Sequence, residues 1–150
     1  MSDGRFSPAV PLQPVVDNNS GERSEVIPLQ ARGGSWGAFV FGGVWALCNG
    51  VWFGALSFLA LIPPFMPHRY PTLNIALSLV GQGVWLYLIV RGRSLAWAHK
   101  RWASFEEFDK VQRTWTKIAK VVLVVGLVLS VVGTVVFLMM MYKALSRMNG

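Results

Sequence analysis

Acidic residues are absent from most of this 150-residue chain. All seven lie before residue 26 or between residues 106 and 109, so no predicted membrane-spanning segment carries a carboxylate. Pumps and proton relays usually place carboxylates inside their apolar helices, which argues against that class. The only histidines, His68 and His99, stand far apart, and no cluster has zinc-site spacing or the form of a phosphate-binding loop. The sequence therefore predicts no enzyme activity, no metal and no cofactor.

Cysteine and charge are also scarce. A single cysteine, Cys48, excludes a disulfide framework within the chain. Charged residues make up 14% of the sequence, against about 25% in soluble domains. Hydrophobic residues reach 53%, and the mean hydropathy is +0.46. This composition is typical of a membrane protein.

Three apolar blocks are long enough to be considered as membrane-spanning helices. Residues 121–141 contain no charge and no proline, and a helix of this length spans about 30 Å, the thickness of the hydrocarbon core. Residues 73–90 form a second block. Residues 35–62 form another, with an aromatic interfacial start before a spanning part near residues 44–62. The predicted fold class is an all-α membrane protein with three transmembrane helices.

The remaining segments are predicted to be tails and connectors. Residues 1–34 contain four prolines and no apolar period, which predicts a disordered tail. Residues 63–72 form a proline-rich connector, and residues 142–150 a short C-terminal tail. A Val/Ile-Pro-Leu-Gln pattern occurs twice in the N-terminal tail, which is either a pair of docking motifs or a chance echo. The docking positions would be Pro11, Leu12, Pro28 and Leu29.

Small residues recur at every fourth position of the first block. On a continuous helix this spacing lines one face with minimal side chains, so that another helix backbone can approach closely. The predicted helix-packing positions are Ala38, Gly42, Ala46, Gly50 and Gly54, with Gly126, Ser130 and Thr134 in the last block.

Four polar side chains lie inside the predicted spans: Asn49, Asn74, Ser78 and Gln82. The last three are spaced i, i+4 and i+8, so they share one helix face. A polar face within lipid turns towards protein or water. These residues therefore indicate interhelical hydrogen bonds or, as the alternative, a binding or conducting path.

Residues 91–120 hold eight of the 14 basic residues. A capping box that starts at Ser104 predicts a new helix there, with aromatic residues on one face and basic residues on the other. This pattern favours a helix lying on an anionic membrane surface, with an RNA-binding surface as the weaker alternative. The predicted membrane-surface residues are Phe105, Phe108, Trp115, Lys110, Arg113 and Lys117.

The distribution of basic residues predicts the orientation. Placing residues 91–120 in the cytoplasm puts 11 basic residues inside and three outside. By the positive-inside rule, the N-terminus is then cytoplasmic and the C-terminus periplasmic.

Two blocks of this sequence resemble a family of small, uncharacterised multi-pass bacterial membrane proteins that often carry the label "ribonuclease G". The first block is Trp36-Gly37-Ala38-Phe39, Gly43-Val44-Trp45-Ala46-Leu47, Asn49 and Trp52; the second includes Gly92-Arg93, Ala96-Trp97-Ala98, Arg101-Trp102, Ser104-Phe105-Glu106-Glu107-Phe108 and Gln112-Arg113-Thr114-Trp115. The resemblance implies a bacterial inner-membrane setting and no activity.

The predicted function is that of a non-enzymatic accessory or assembly subunit of a larger inner-membrane complex. Its expected partners are a bilayer with anionic headgroups and other membrane subunits, with homo-oligomers left open. A small oligomeric transporter or channel is the alternative, built around Asn49, Asn74 and Gln82. A membrane-tethered RNA-binding protein is the third hypothesis.

Overall fold

The structure is a computed structural model that describes residues 18–66 and 69–148, except for the side chain of Met148. The described residues form helices and connecting turns only, so the all-α class is confirmed. The α-helices are α1 Trp36–Phe41, α2 Gly43–Cys48, α3 Pro71–His99 and α4 Phe105–Met148; the 3-10 helices are Leu29–Ala31, Trp52–Leu61 and Pro63–Phe65. Two helices, α3 and α4, are long and apolar enough to cross a membrane.

The first apolar block does not form the predicted continuous helix. It is divided into α1, α2 and the 3-10 helix Trp52–Leu61. The backbone turns at Gly42, with φ +48°, and again at Gly50, with φ +75°, values that residues with a Cβ rarely adopt. Two of the small residues spaced by four, Gly42 and Gly50, therefore interrupt the helix, and the prediction of one unbroken packing stripe is wrong.

Some of the predicted small residues do permit close packing, but within one folded unit. The chain reverses after α2, so that Gly54 of the 3-10 helix Trp52–Leu61 lies against Ala46, where a Cβ would clash. The same 3-10 helix then runs antiparallel to α3. Its Gly54 lies beside Leu88, and its Ala60 lies against Gly81. The backbones of the two elements are thus held in close contact along the apolar half of α3.

The two long helices extend beyond their predicted limits. The second span was predicted to end at residue 90, but α3 continues through His99. The capping box does mark the start of α4: Ser104 Oγ accepts a hydrogen bond from the amide of Glu107 over 3.2 Å. From there α4 continues for 44 residues, about 66 Å, with no break near residue 120. The predicted surface helix, last span and tail are therefore one helix as far as residue 148.

The N-terminal segment 18–34 packs on the end of α3, so the prediction of a disordered tail is wrong for these residues. The amide of Gly21 donates to the carbonyl of Trp97 over 2.9 Å, and the amide of Arg23 to that of Ala98 over 3.0 Å. Trp97 Nε1 donates to Asn19 Oδ1 over 2.9 Å. These bonds satisfy polar groups that a free tail would leave to water.

Most of the buried residues belong to one compact unit, which we call the head; Gly54, Ser57 and Gly81 are buried outside it, in the 3-10 helix Trp52–Leu61 and in α3. The head consists of residues 18–51, residues 88–104 and the first 15 residues of α4, to Ala119. Its core contains Ala31, Ala38, Trp45, Ala46, Val51, Leu88, Leu95, Ala96, Trp97, Trp102 and Phe108. The apolar part of α3 and the remainder of α4 leave this head.

Candidate interaction surfaces

Two buried amide side chains join α2 to α4 inside the head. Asn49, at the end of α2, has no exposed surface, and Gln112 of α4 is 2% exposed. Gln112 Nε2 donates to Asn49 Oδ1 over 2.8 Å, while Asn49 Nδ2 donates to the carbonyl of Trp45 over 2.8 Å. Asn49 thus forms an interhelical hydrogen bond, one of the two roles considered for it. Sequence reasoning missed Gln112 as its partner, because the residues are 63 positions apart.

The aromatic face of α4 packs into the head. Phe108 has no exposed surface, and its ring centroid lies 5.3 Å from that of Trp97 and 5.4 Å from that of Trp102. The prediction that Phe108 inserts into a bilayer is therefore wrong. Phe105 and Trp115 are partly buried on the same side, Phe105 next to Phe108 and Trp115 next to Phe41. On the apolar face of this amphipathic helix, Phe108 is therefore fully covered by its own chain, and Phe105 and Trp115 are covered in part.

Asp109 is the acidic centre of a charged cluster between α3 and α4. Its carboxylate accepts a hydrogen bond from Arg93 over 3.1 Å and forms a second ion pair with Arg113. Burial raises the pKa of Asp109, but the hydrogen bonds from the two arginines outweigh burial and hold that pKa below its ordinary value of 3.8. Arg93 also donates to the carbonyl of Gln30 and lies over the ring of Phe108. The cluster therefore ties the N-terminal segment to both long helices.

The predicted basic residues do lie on the exposed side of α4. Lys110, Arg113 and Lys117 line a shallow groove of about 420 Å³. No ion pair engages Lys110 or Lys117 within the described part of the chain. Because α4 is continuous, these residues are about 6 to 16 Å along the helix axis from Val121, the start of the apolar segment. The three basic residues thus follow one another along the helix axis, and Lys117 lies nearest to the apolar segment.

The polar residues of α3 do not join Asn49 in one path. Gly50 contacts the His99 end of α3, whereas Asn74 lies near the first turn, more than 30 Å away along that helix. Asn74 and Ser78 are partly buried, and Gln82 is exposed. Gln82 lines an apolar cavity of about 230 Å³ beside Trp85. Asn49, Asn74 and Gln82 therefore lie at different levels along the axis of α3.

The C-terminal part of α4, residues 120–147, is not covered by any other described segment, and we call it the bare part of α4. Every residue from Lys120 to Arg147 is exposed. The predicted packing positions Gly126, Ser130 and Thr134 contact no other element among the described residues, and a Cβ at Gly126 would meet no atom outside its own helix within 4 Å. Thr134 Oγ1 donates to the carbonyl of Ser130, within the helix itself. The packing role predicted for these three residues would require a surface outside the described residues.

The proline-containing motif has one copy in the described residues. Pro28 precedes the 3-10 helix Leu29–Ala31 and is partly buried, whereas the side chain of Leu29 is 77% exposed. Docking at Leu29 stays a prediction. The other copy, at Pro11 and Leu12, lies outside the described residues.

A charge-lined cavity was missed by sequence reasoning. Glu25, Arg32 and Arg91 line a cavity of about 460 Å³ between the N-terminal segment and α3. The first two residues were assigned to a disordered tail, so their proximity to Arg91 could not be inferred. The pair Gly33-Gly34 was the available signal, because a turn there can bring the tail back onto a helix.

Within residues 18–66 and 69–148, no group of three or more His, Cys, Asp or Glu side chains is arranged to hold a metal ion. No protein-family model, no curated protein and no solved structure matches the chain.

Proposed function

We propose that the protein is a non-enzymatic subunit of a larger membrane complex, held in the bilayer by its apolar helices and presenting its head on the cytoplasmic side. The observation that carries this proposal is the bare part of α4. A helix that is apolar on every side is stable only where apolar material surrounds it, either lipid or the helices of partner subunits. No other described segment of the chain covers this part of α4.

The path of the chain supports three crossings. The turn at Gly50 lies beside the His99 end of α3, and the 3-10 helix Trp52–Leu61 then follows α3 towards its opposite end. If α3 spans the bilayer, the chain crosses once on leaving the head, returns through α3 and leaves again through α4. A 3-10 helix rises about 2 Å per residue, so its ten residues cover roughly 20 Å of the first crossing.

The charges support a cytoplasmic head. The described basic residues of the head and of the end of α4 next to it are Arg23, Arg32, Arg91, Arg93, Lys100, Arg101, Lys110, Arg113, Lys117 and Lys120. Arg69, Lys143 and Arg147 are the basic residues at the other side. The positive-inside rule then assigns the head to the cytoplasm, as expected for a bacterial inner-membrane protein of the family that the sequence resembles.

Partner binding through α4 can be tested by replacing residues 121–141 with a leucine-rich helix of equal length. Such a segment keeps the apolar length but removes the grooves at Gly126, Ser130 and Thr134. We expect both proteins to resist alkaline extraction from membranes. After cross-linking in native membranes and purification in mild detergent, wild type should carry a stoichiometric partner that the variant loses.

Two results would contradict this proposal. Release of wild type by alkaline carbonate would exclude stable insertion in the membrane. Recovery of wild type as a lone monomer after cross-linking would exclude the subunit role. As a topology check, a periplasm-active reporter should be active after Gly150 and inactive at Ser104.

A further inference from the structure

The charge-lined cavity is built from two elements that are fixed to each other. The amide of Arg93 donates to the carbonyl of Gly33 over 3.2 Å, and the amide of Ser35 donates to the carbonyl of Ile89 over 2.9 Å. Gly33 has φ +117°, and a Cβ at Gly34 would clash with the carbonyl of Ile89. The turn therefore holds Arg32 at a set position beside the last apolar turn of α3.

The three charged side chains of the cavity are not paired with one another. Arg32 donates through Nε to the carbonyl of Ile27 over 3.0 Å, which holds its guanidinium in place and leaves its terminal N–H groups for other acceptors. Within the described residues, no ion pair links Glu25 to Arg32 or Arg91. Two cations and one anion thus line the same space without neutralising each other directly.

An apolar groove adjoins the cavity. It has a volume of about 410 Å³ and is lined by Trp36, Phe39 and Ile89. Ile89 of the groove is followed by Val90 and Arg91 of the cavity, and Gly34 of the groove is preceded by Gly33 of the cavity. The two spaces are therefore bordered by consecutive residues where the apolar run of α3 ends. Trp36 is 51% exposed at this level, as tryptophan often is at a membrane interface. One molecule with a charged head and an apolar tail could occupy both spaces.

We propose that this composite site binds one phospholipid whose headgroup carries both a phosphate and a primary ammonium group, such as phosphatidylethanolamine. Arg32 and Arg91 would hold the phosphate through charge-assisted N–H donors, because guanidinium groups match phosphate oxygens. Glu25 would accept hydrogen bonds from the ammonium group. The start of an acyl chain would lie against Trp36, Phe39 and Ile89.

The pattern of charge selects this lipid class. A purely anionic headgroup would satisfy the two arginines but leave the Glu25 carboxylate facing another negative or neutral group. A choline headgroup has a positive charge but no N–H donor for that carboxylate. A headgroup with a primary ammonium provides a partner for each of the three side chains. The site rests on the proposed membrane placement of α3, since the headgroup must lie at the end of its apolar run.

The test uses the full-length protein in detergent, titrated with lipids of identical acyl chains and monitored by native mass spectrometry. We expect phosphatidylethanolamine to bind about tenfold more tightly than phosphatidylcholine or phosphatidylglycerol. Arg91→Gln should weaken binding of all three. Glu25→Gln should keep binding but remove the preference for the ethanolamine lipid. Lys117→Gln is the matched control, because it removes a positive charge near the apolar segment of α4 but outside the cavity.

Several outcomes would overturn the site. They are equal binding of the three lipids by wild type, preference for phosphatidylglycerol, or an unchanged affinity in Arg91→Gln. Displacement of the lipid by soluble phosphoethanolamine at equal concentration would identify a water-soluble ligand instead of a membrane lipid. Alkaline extraction of the same proteins separates the two proposals: a chain that stays in the membrane without lipid preference refutes the site alone.

Discussion

The two parts of α4 have the same backbone geometry and opposite surroundings. In residues 105–119, Phe108, Gln112 and Ala119 are buried against the head, whereas every residue from 121 to 147 is exposed. The first part alternates apolar and charged positions with the helical period, so one face can be covered by the same chain. The second part is apolar all round, and no single neighbour could cover it. The comparison shows that the pattern of side chains along one helix decides whether its own chain can cover it.

The largest expected difference between the two parts comes from removing one phenyl ring in each. Phe108→Ala leaves a cavity among Trp97, Trp102 and Phe105, and such changes cost about 3–5 kcal/mol in a packed core. Phe137→Ala, at a side chain that is 61% exposed, should leave the stability of the head unchanged. Thermal unfolding in mild detergent, followed by tryptophan fluorescence, measures both. Equal losses in the two variants would mean that the second part is also packed against the head.

Replacing glycine by alanine adds one methyl group and compares a packed position with an exposed one in the same way. At Gly81 a Cβ would clash with the backbone of Ala60, so Gly81→Ala should destabilise the protein by roughly 1–3 kcal/mol. At Gly133, in the bare part of α4, a Cβ meets nothing within 4 Å. Gly133→Ala should be neutral or stabilise the helix by up to about 1 kcal/mol, because alanine has the higher helix propensity.

A second glycine in α3 controls for helix propensity. Gly83 lies two positions from Gly81 in the same helix, and a Cβ there also meets open space. Gly83→Ala should therefore resemble Gly133→Ala in thermal unfolding. Destabilisation by Gly83→Ala equal to that of Gly81→Ala would show that the contact with Ala60 is not the cause.

The buried amide pair of Asn49 and Gln112 lies only in the packed part of α4, and its loss should destabilise the protein less than Phe108→Ala does. Gln112→Leu removes the donor to Asn49 Oδ1 and leaves a buried acceptor without its partner, at a cost of about 1–3 kcal/mol. Asn49→Leu together with Gln112→Leu should cost less than the sum of the single changes, since neither amide is then unpaired. A double-mutant cycle by thermal unfolding measures this coupling. Strict additivity would contradict the role assigned to the hydrogen bond.

How far the sequence predicts this structure depends on the distance between interacting residues. The start of α4 and its apolar segment were predictable, because capping at Ser104 and uniform hydrophobicity after residue 120 are local signals. The order of residues 18–34 was not, because the bonds that fix Asn19 and Gly21 reach Trp97, nearly 80 positions away. Small residues at every fourth position, glycines among them, are compatible both with a helix-packing face and with breaks in the helix. Only the tertiary contacts of the head show that Gly42 and Gly50 are breaks.

The site was less predictable than the fold for the same reason. Lys110, Arg113 and Lys117 were correctly placed on one face, since they share a single helix. The aromatic residues opposite them were assigned to lipid because the helical period does not specify what covers an apolar face. The cavity of Arg32 and Arg91 depends on two segments far apart in sequence, so the local signal at Gly33-Gly34 could indicate a turn but not its position beside Arg91.

The smallest expected effect concerns the charged cluster of the packed part and its dependence on pH. The pKa of Asp109 is lower in the folded protein than its ordinary value of 3.8, so its ion pairs stabilise the fold above that value. As the pH falls through 3.8, the unfolded chain binds a proton more readily than the folded one, and this contribution is lost.

Asp109→Asn should therefore lower the unfolding temperature at pH 6, by an amount equivalent to about 1 kcal/mol. The gap between wild type and variant should close as the pH falls below 3.8. Glu106→Gln is the control, because Glu106 forms no ion pair within the described residues, and it should lower the unfolding temperature at pH 6 by less than Asp109→Asn. A gap for Asp109→Asn that is as wide at pH 3 as at pH 6 would show that shape, not charge, is what Asp109 contributes between Arg93 and Arg113.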